Sequence, residues 1–549
     1  MAFCHLREVW VLTLILLSRS KKLKIMKKLK IFSNIYIFIA LFCSIVLFAS
    51  CTKKYAEINT DKNKVASVGQ AELPFLFSRA IESIPWSDQV AQNMFADQYA
   101  QYFADNAPYF LSDVLIIEMD WVRWNFDPMY TDVVPQLQTI FAGTDSTSAE
   151  YALCNIWWAY AFHRVTDYWG PIPYFNAGVP GTSVPYDPQD KIYNDFFKRL
   201  TAAVAILKGK TSEQPFGNYD LIYGGNVNNW IKFANTIRLR LALRISKVDP
   251  ARAKTEAEAA YADGVLTTSP DDDAYAQKSL KDANRLSGMS NYNEFRMSAS
   301  MESVLKGYTD PRMAEYFLPA VNTGTYEGLR NGLSINQLAL DINKVNANSH
   351  VGHRWADTSV FPGVGDPNFL ATPQIVMCTA EAYFLRAEGA LLGWNMGGSA
   401  KELYEDGITN YMIQWGITNS TVITNYINNI AIPIAPNDYL NYQPMTNIPV
   451  KFNTSDVNVQ MEQIATQKWL ALFPDGMEAW ADFRRSHILK LYPIANSSNP
   501  DITNTTTQWI RRIPFLTSEK QNNGAEVEKA VDLLGGPDKI TTPLWWDKN

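Results

Sequence analysis

Residues 230–245 read WIKFANTIRLRLALRI, and this stretch decides the fold class. Trp230, Phe233, Ala234, Ile237, Leu241 and Ile245 fall at offsets of 3, 4, 7, 11 and 15 from the first, the spacing of one face of an α-helix. Lys232, Arg240 and Arg244 occupy the opposite, polar face. A short second helix over 250–264 stops at Asp263-Gly264, so 230–264 reads as a helical hairpin.

The pattern recurs on both sides of this hairpin. Upstream, 149–168 places Ala152, Ile156, Tyr160 and His163 on one stripe and stops at Gly170-Pro171, while 190–208 aligns Ile192, Phe196, Leu200, Val204 and Leu207. Residues 69–104 and 127–142 also read as helices, around an aromatic loop, APYFLSDVLIIEMDWVRW. Downstream, 373–393, 399–415, 459–473 and 476–485 repeat the helical spacing. Between these blocks, 265–370 is rich in Asp, Asn, Gly, Ser and Pro and holds one convincing helix near 297–307. An irregular stretch of that length reads as an insertion carrying short elements, and such loops often carry function. Paired helices on short turns suggest tetratricopeptide-like units, although no strict repeat of roughly 34 residues is visible. The fold class is therefore all-α, with a large loop-rich insertion.

Composition bounds the function. The chain has 549 residues, is 47% hydrophobic and 13% aromatic, and carries 5 Cys, which excludes a disordered, collagenous or disulfide-scaffold protein. The first 50 residues hold 8 of the basic and 1 of the acidic side chains, leaving 41 against 54 and a net charge of −13 beyond them. A nucleic-acid partner would need the opposite sign.

From Met26 the chain runs MKKLKIFSNIYIFIALFCSIVLFASC: a basic start, an apolar stretch from Ile31 to Phe48, then small residues before Cys51. This is the layout of a secretory signal peptide, with Met26 as its start and residues 1–50 as the removed segment. The apolar run could just span a bilayer, but no basic stop-transfer cluster beyond Lys53 and Lys54 follows it. Phe48-Ala49-Ser50-Cys51 resembles a bacterial lipoprotein signal, in which Cys51 would be acylated, with 51–66 as a polar tether and 67–549 as one helical domain containing the insertion. Cys154 and Cys378 remain for the fold, either as two buried thiols or as a bridge.

Several segments together resemble the SusD/RagB outer-membrane lipoproteins, in the SusD-like branch of Bacteroidetes. They are Glu57-Ile58-Asn59-Thr60-Asp61, Tyr168-Trp169-Gly170-Pro171-Ile172-Pro173-Tyr174, and Trp230 to Asn235 running into Arg238-Leu239-Arg240-Leu241-Ala242. Asp310-Pro311-Arg312, Thr379 to Glu388, Lys468 to Leu472, Glu478 to Arg485 and Leu544-Trp545-Trp546 follow in order. The resemblance implies about four tetratricopeptide-like helix pairs and an irregular nutrient-binding face. It further implies a lipid-anchored location on the outer membrane facing the exterior, a SusC-like TonB-dependent transporter barrel as partner, an oligosaccharide ligand, no cofactor and no catalysis. Peptide capture by the same fold is the alternative, and a surface glycosidase a more distant one. None of the matching motifs is a ligand motif.

Glycan capture needs aromatic faces and a few polar groups that reach hydroxyls. The chain has 16 Trp, 27 Tyr and 27 Phe, of which Trp157, Trp230, Trp469 and Trp480 lie on helix stripes and read as core. The binding candidates stand off those stripes: Tyr109, Trp121 and Trp124 in the early loop, and Tyr275, Tyr292 and Trp355 in the insertion, with Arg123, Asn291 and Asn293 as polar neighbours. The chain carries no GxSxG, phosphate-binding loop or HExxH. His350 with His353 and the run Asp271-Asp272-Asp273 make no convincing metal set, so a surface pair and a solvated turn are the expectations there.

Overall fold

Helix propensity alone would not hold the 230–245 stretch in place; its neighbours do. In the computed structural model, which describes residues 69–84, 88–179, 181 and 183–548, it forms part of a stack of antiparallel helices. The signal segment, Cys51, the tether at 51–66 and the Glu57–Asp61 motif lie outside the described residues. Helix α1 (Leu73–Glu82) packs on α2 (Val134–Gly143), α3 (Ala149–Trp169) on α4 (Gln189–Leu207), and α5 (Val227–Arg244) on α6 (Pro250–Asp263). After α7 (Ala299–Gly307), the hairpin of α8 (Thr379–Leu391) and α9 (Ala400–Gln414) is followed by α10 (Val457–Ala471) and α11 (Gly476–Ser486). The tetratricopeptide-like, all-helical expectation holds. Among the described residues no helix is long and apolar enough to cross a membrane.

Local chemistry sets the helix ends. The Ser148 hydroxyl accepts from the Tyr151 N–H at 3.1 Å to start α3, Asp249 accepts from Arg252 N–H at 3.2 Å ahead of Pro250 in α6, and Ser399 with Glu402 forms a capping box on α9. Gly170 closes α3 at φ +87°, where a Cβ would stand 3.0 Å from Leu544. Trp157, Trp230 and Trp480 are fully buried; each such side chain contributes about 2–3 kcal/mol by leaving water.

The structure corrects three readings. First, the face of α5 opposite the apolar stripe does not stand clear of the core: Arg240 and Arg244 are buried. The Arg240 guanidinium donates to both Glu381 oxygens at 2.6 Å, and Arg244 donates to Glu478 at 2.6 Å while lying 3.2 Å from Asp167. Desolvating such charges is tolerable only with this matched geometry. Second, 69–104 is not one helix: α1 stops at Glu82, ahead of Ile84-Pro85, and the chain ends the stretch in a strand. Third, the start of 373–393 is extended. There β4 (Gln374–Met377), with Ile375 and Val376, pairs antiparallel with β2 (Ala274–Ala276). The other short pair is β1 (Phe103–Asp105) with β3 (Phe295–Met297), antiparallel, Phe103 opposite Met297 and Asp105 opposite Phe295. Cys154 and Cys378 are both free and buried.

Candidate functional site

Two chain reversals meet at one end of the β1–β3 pair. The chain leaves β1 at Asp105 and enters β3 at Phe295, so antiparallel pairing puts residues 106–109 beside 291–294. The Asn106 N–H donates to the Glu294 carbonyl at 3.1 Å, and its side-chain amide donates to the Asn293 carbonyl at 2.9 Å. Asn293 takes φ +63°, a left-handed position that asparagine tolerates, and this turns the chain so that Tyr292 points outward.

Aromatic rings collect at this junction. Tyr109 is 65% exposed and Tyr292 59% exposed, high values for rings that a fold would otherwise bury. Tyr109 meets Phe110 edge-on at 4.7 Å, and Phe110 meets the half-buried Trp121 edge-on at 5.5 Å. The Tyr109 hydroxyl donates to Glu294, and this bond pushes the phenol up to about 12. The ring face thus stays open to solvent while its edge is fastened. Of the polar neighbours, Asn291 donates to Asp357 at 2.9 Å, Asn293 accepts from Arg296 at 2.8 Å, and Arg123 donates to Asp127 at 2.6 Å. Asn293 therefore serves the turn. The Asn291 amide oxygen is buried without a hydrogen-bond partner.

Below this rim, Asp113 receives the Gly332 N–H at 2.6 Å and the Asn331 amide at 2.9 Å. Burial pushes its carboxyl up to about 7 in spite of these donors.

The other candidates sit elsewhere. Trp124, 55% exposed, lines a groove of about 400 Å³ together with Arg79, Asp132 and Arg285. Tyr275 and Trp355 line a smaller cleft of about 190 Å³ with Trp415 and Gln414. Trp355 is 2% exposed and packs on Trp415 and Phe473 at about 6 Å, so its ring serves the core rather than a ligand face. The six aromatic candidates therefore separate into a rim (Tyr109, Trp121, Tyr292), a groove (Trp124) and a cleft (Tyr275, Trp355). Phe110, Glu294 and Asn106 complete the rim and escaped the sequence reading, because a turn at φ +63° and a strand of three residues leave no periodic signal.

The acidic run and the histidines are committed to local structure. Asp272 accepts from the Thr267 and Thr268 N–H groups and from Lys232, and Asp273 accepts from Thr379 N–H at the start of α8, which corrects the expected solvated turn. His350 is buried instead of lying on the surface; its ring nitrogens face the carbonyls of Val351 and Ser290, and burial holds it down at about 4. His353 stands 3.1 Å from Glu315.

Comparison with known proteins places this geometry. Residues 52–547 match the family described as "SusD-like: Susd and RagB outer membrane lipoprotein". A chitin-binding SusD homologue from Flavobacterium johnsoniae is 35% identical with a TM-score of 0.77, over 87% of this chain and 98% of its own. A SusD homologue from Bacteroides uniformis is 31% identical with a TM-score of 0.77, over 87% and 99% of the two chains. One from Bacteroides thetaiotaomicron is 28% identical with a TM-score of 0.76, again over 87% and 99%. No curated protein matches the chain.

Proposed function

The chain belongs to the SusD/RagB family of outer-membrane lipoproteins, and from that premise we propose that it captures a nutrient oligosaccharide at the cell surface and passes it, unaltered, to a TonB-dependent transporter barrel. The observation that carries this reading is the pair of exposed rings, Tyr109 and Tyr292, standing on the irregular face. A pyranose offers an apolar C–H face to such rings. The similarity to a chitin-binding homologue makes acetamido-sugar polymers the first ligands to try.

The signal pattern at residues 26–51 supports lipid anchoring. Cys51 carries the lipid, each buried methylene contributes about 0.8 kcal/mol, and several acyl chains make the tether permanent. The polar, lysine-bearing composition of residues 51–66 suits a tether between that lipid and the helical domain at 67–549, which lies on the exterior face of the membrane as a lid over the barrel. The net charge of −13 beyond residue 50 fits a neutral glycan as well as a basic peptide, and the test separates them.

Native gels containing chitin oligosaccharides, other polysaccharides and peptides, with reducing ends assayed in the same samples, decide the matter. Retardation by one glycan without new reducing ends is the expected result. New reducing ends would overturn the absence of catalysis, and retardation by peptides alone would overturn the glycan.

A further inference from the structure

We propose that the cavity walled by α11 and the loops at 487–494 and 505–510 binds a medium-chain carboxylate, with the alkyl tail inside and the anionic head at Lys490. The inference does not rest on the reading given to the rim, since none of Tyr109, Trp121 or Tyr292 lines this cavity.

The lining is mostly hydrocarbon. Leu115, Met445, Leu491 and Ile494 supply aliphatic surface, and Phe483 and Trp509 meet at 5.7 Å in the same wall. Phe483, Leu491, Ile494 and Trp509 are only partly buried and Met445 is 36% exposed, so apolar surface is left facing the opening. An alkyl chain entering there takes that surface and its own out of water. The volume is about 250 Å³. A dry apolar cavity of about 150 Å³ takes benzene, so by proportion this one takes a tail of about eight to ten carbons.

Charge selects the head group. No Asp or Glu lines the cavity, in a chain whose net charge beyond residue 50 is −13. Lys490 is exposed at the mouth and enters no ion pair among the described residues. His487, the other basic residue of the wall, is held by Asp547 at 2.8 Å. The Gln508 side-chain oxygen accepts the Thr503 and Asn504 N–H groups at 2.8 and 3.0 Å, which leaves its amide NH2 as a second donor. An ammonium and an amide donor beside an apolar chamber fit a carboxylate, whereas Lys490 would repel an amine.

The backbone is shaped around the same chamber. Seven non-glycine residues among those described take positive φ, and three of them, Gln101 at +52°, Leu115 at +70° and His487 at +60°, line it. Left-handed backbone is costly for a leucine, and strain of this kind collects where a fold shapes a binding site.

Calorimetric titration of the protein with hexanoate, octanoate, decanoate and dodecanoate at about pH 7, with 1-octanol as the uncharged control, tests the assignment. Affinity should rise about fourfold per methylene and level off near decanoate, where the chamber is full. Lys490→Gln should weaken octanoate about fivefold and leave octanol unchanged. Leu491→Trp, which fills the chamber, should abolish binding of both at a Tm near the parent's; if that variant does not fold, Lys490→Gln, on an exposed side chain, decides alone. No binding of octanoate up to about 5 mM, an affinity independent of chain length, or a loss in Lys490→Gln shared equally by octanol would overturn the site.

Discussion

The helical body and the rim handle polar groups in opposite ways. In the body, charge is sealed inside and matched: Lys468 and Arg485 share Glu388 and Asp482 at 2.7–2.9 Å, Arg164 holds Asp475 through two bonds, and Arg312 holds Asp310. At the rim, the rings stand in water and the amides beside them mostly serve turns. The contrast shows what a family signature can report. Glu381, Glu388, Lys468, Glu478, Asp482 and Arg485 all belong to the segments that carry the resemblance, and all of them tie one helix to another. A signature made of such residues identifies the scaffold and says nothing of the ligand.

The largest test of this contrast removes one member of the buried network. Glu478→Leu leaves Arg244 with one fewer carboxylate and brings Arg240 no replacement, and stripping a partner from a buried pair costs about 3–5 kcal/mol. Urea unfolding should show that loss, whereas Tyr109→Ala should stay within about 0.5 kcal/mol of the parent. Equal losses in the two variants would erase the distinction.

Acid and alkali should separate the regions next. Burial would push Glu388 and Glu478 up, but the cations beside them override it, holding Glu388 at about 2 and Glu478 below its ordinary range. Their stabilisation is complete above the unfolded value of about 4.3 and is lost as pH falls toward the folded one. Asp113 runs the other way: with its folded value raised to about 7, the native state holds the extra proton, so stability falls as pH climbs from about 4 to about 7. Urea midpoints across that range should show a shallower alkaline decline in Asp113→Asn, the rest being kept by other buried carboxyls such as Glu302, also raised to about 7, and an unchanged acid one.

Smaller effects belong to the ligand. Replacing Tyr109 and Tyr292 together by Ala should weaken glycan binding about tenfold, as read by calorimetry, with little change in Tm. Trp124→Ala, in the neighbouring groove, should change affinity by no more than about threefold. A larger loss there would join groove and rim into one site.

Legibility in the sequence follows the same division. The helices at 149–168, 190–208 and 399–415 were readable because burial of a stripe imposes a period, and the structure places them at 149–169, 189–207 and 400–414. The burial of Arg240 was hidden, since its partner Glu381 is 141 residues away and no local pattern announces it. Tyr109 and Tyr292 were visible as aromatics outside the stripes. Trp355, chosen on the same ground, is core, because a loop that folds back against Phe473 leaves the same trace as one that stays outside.

The bond between Tyr109 and Glu294 carries one more consequence. A free surface tyrosine samples several orientations, and a ligand that stacks on it must freeze one, at about 0.5–1.5 kcal/mol per immobilised side chain. Here the orientation is already chosen when the chain folds. A sugar bound as proposed would meet a ring that gave up this conformational entropy on folding, which removes that one cost from binding.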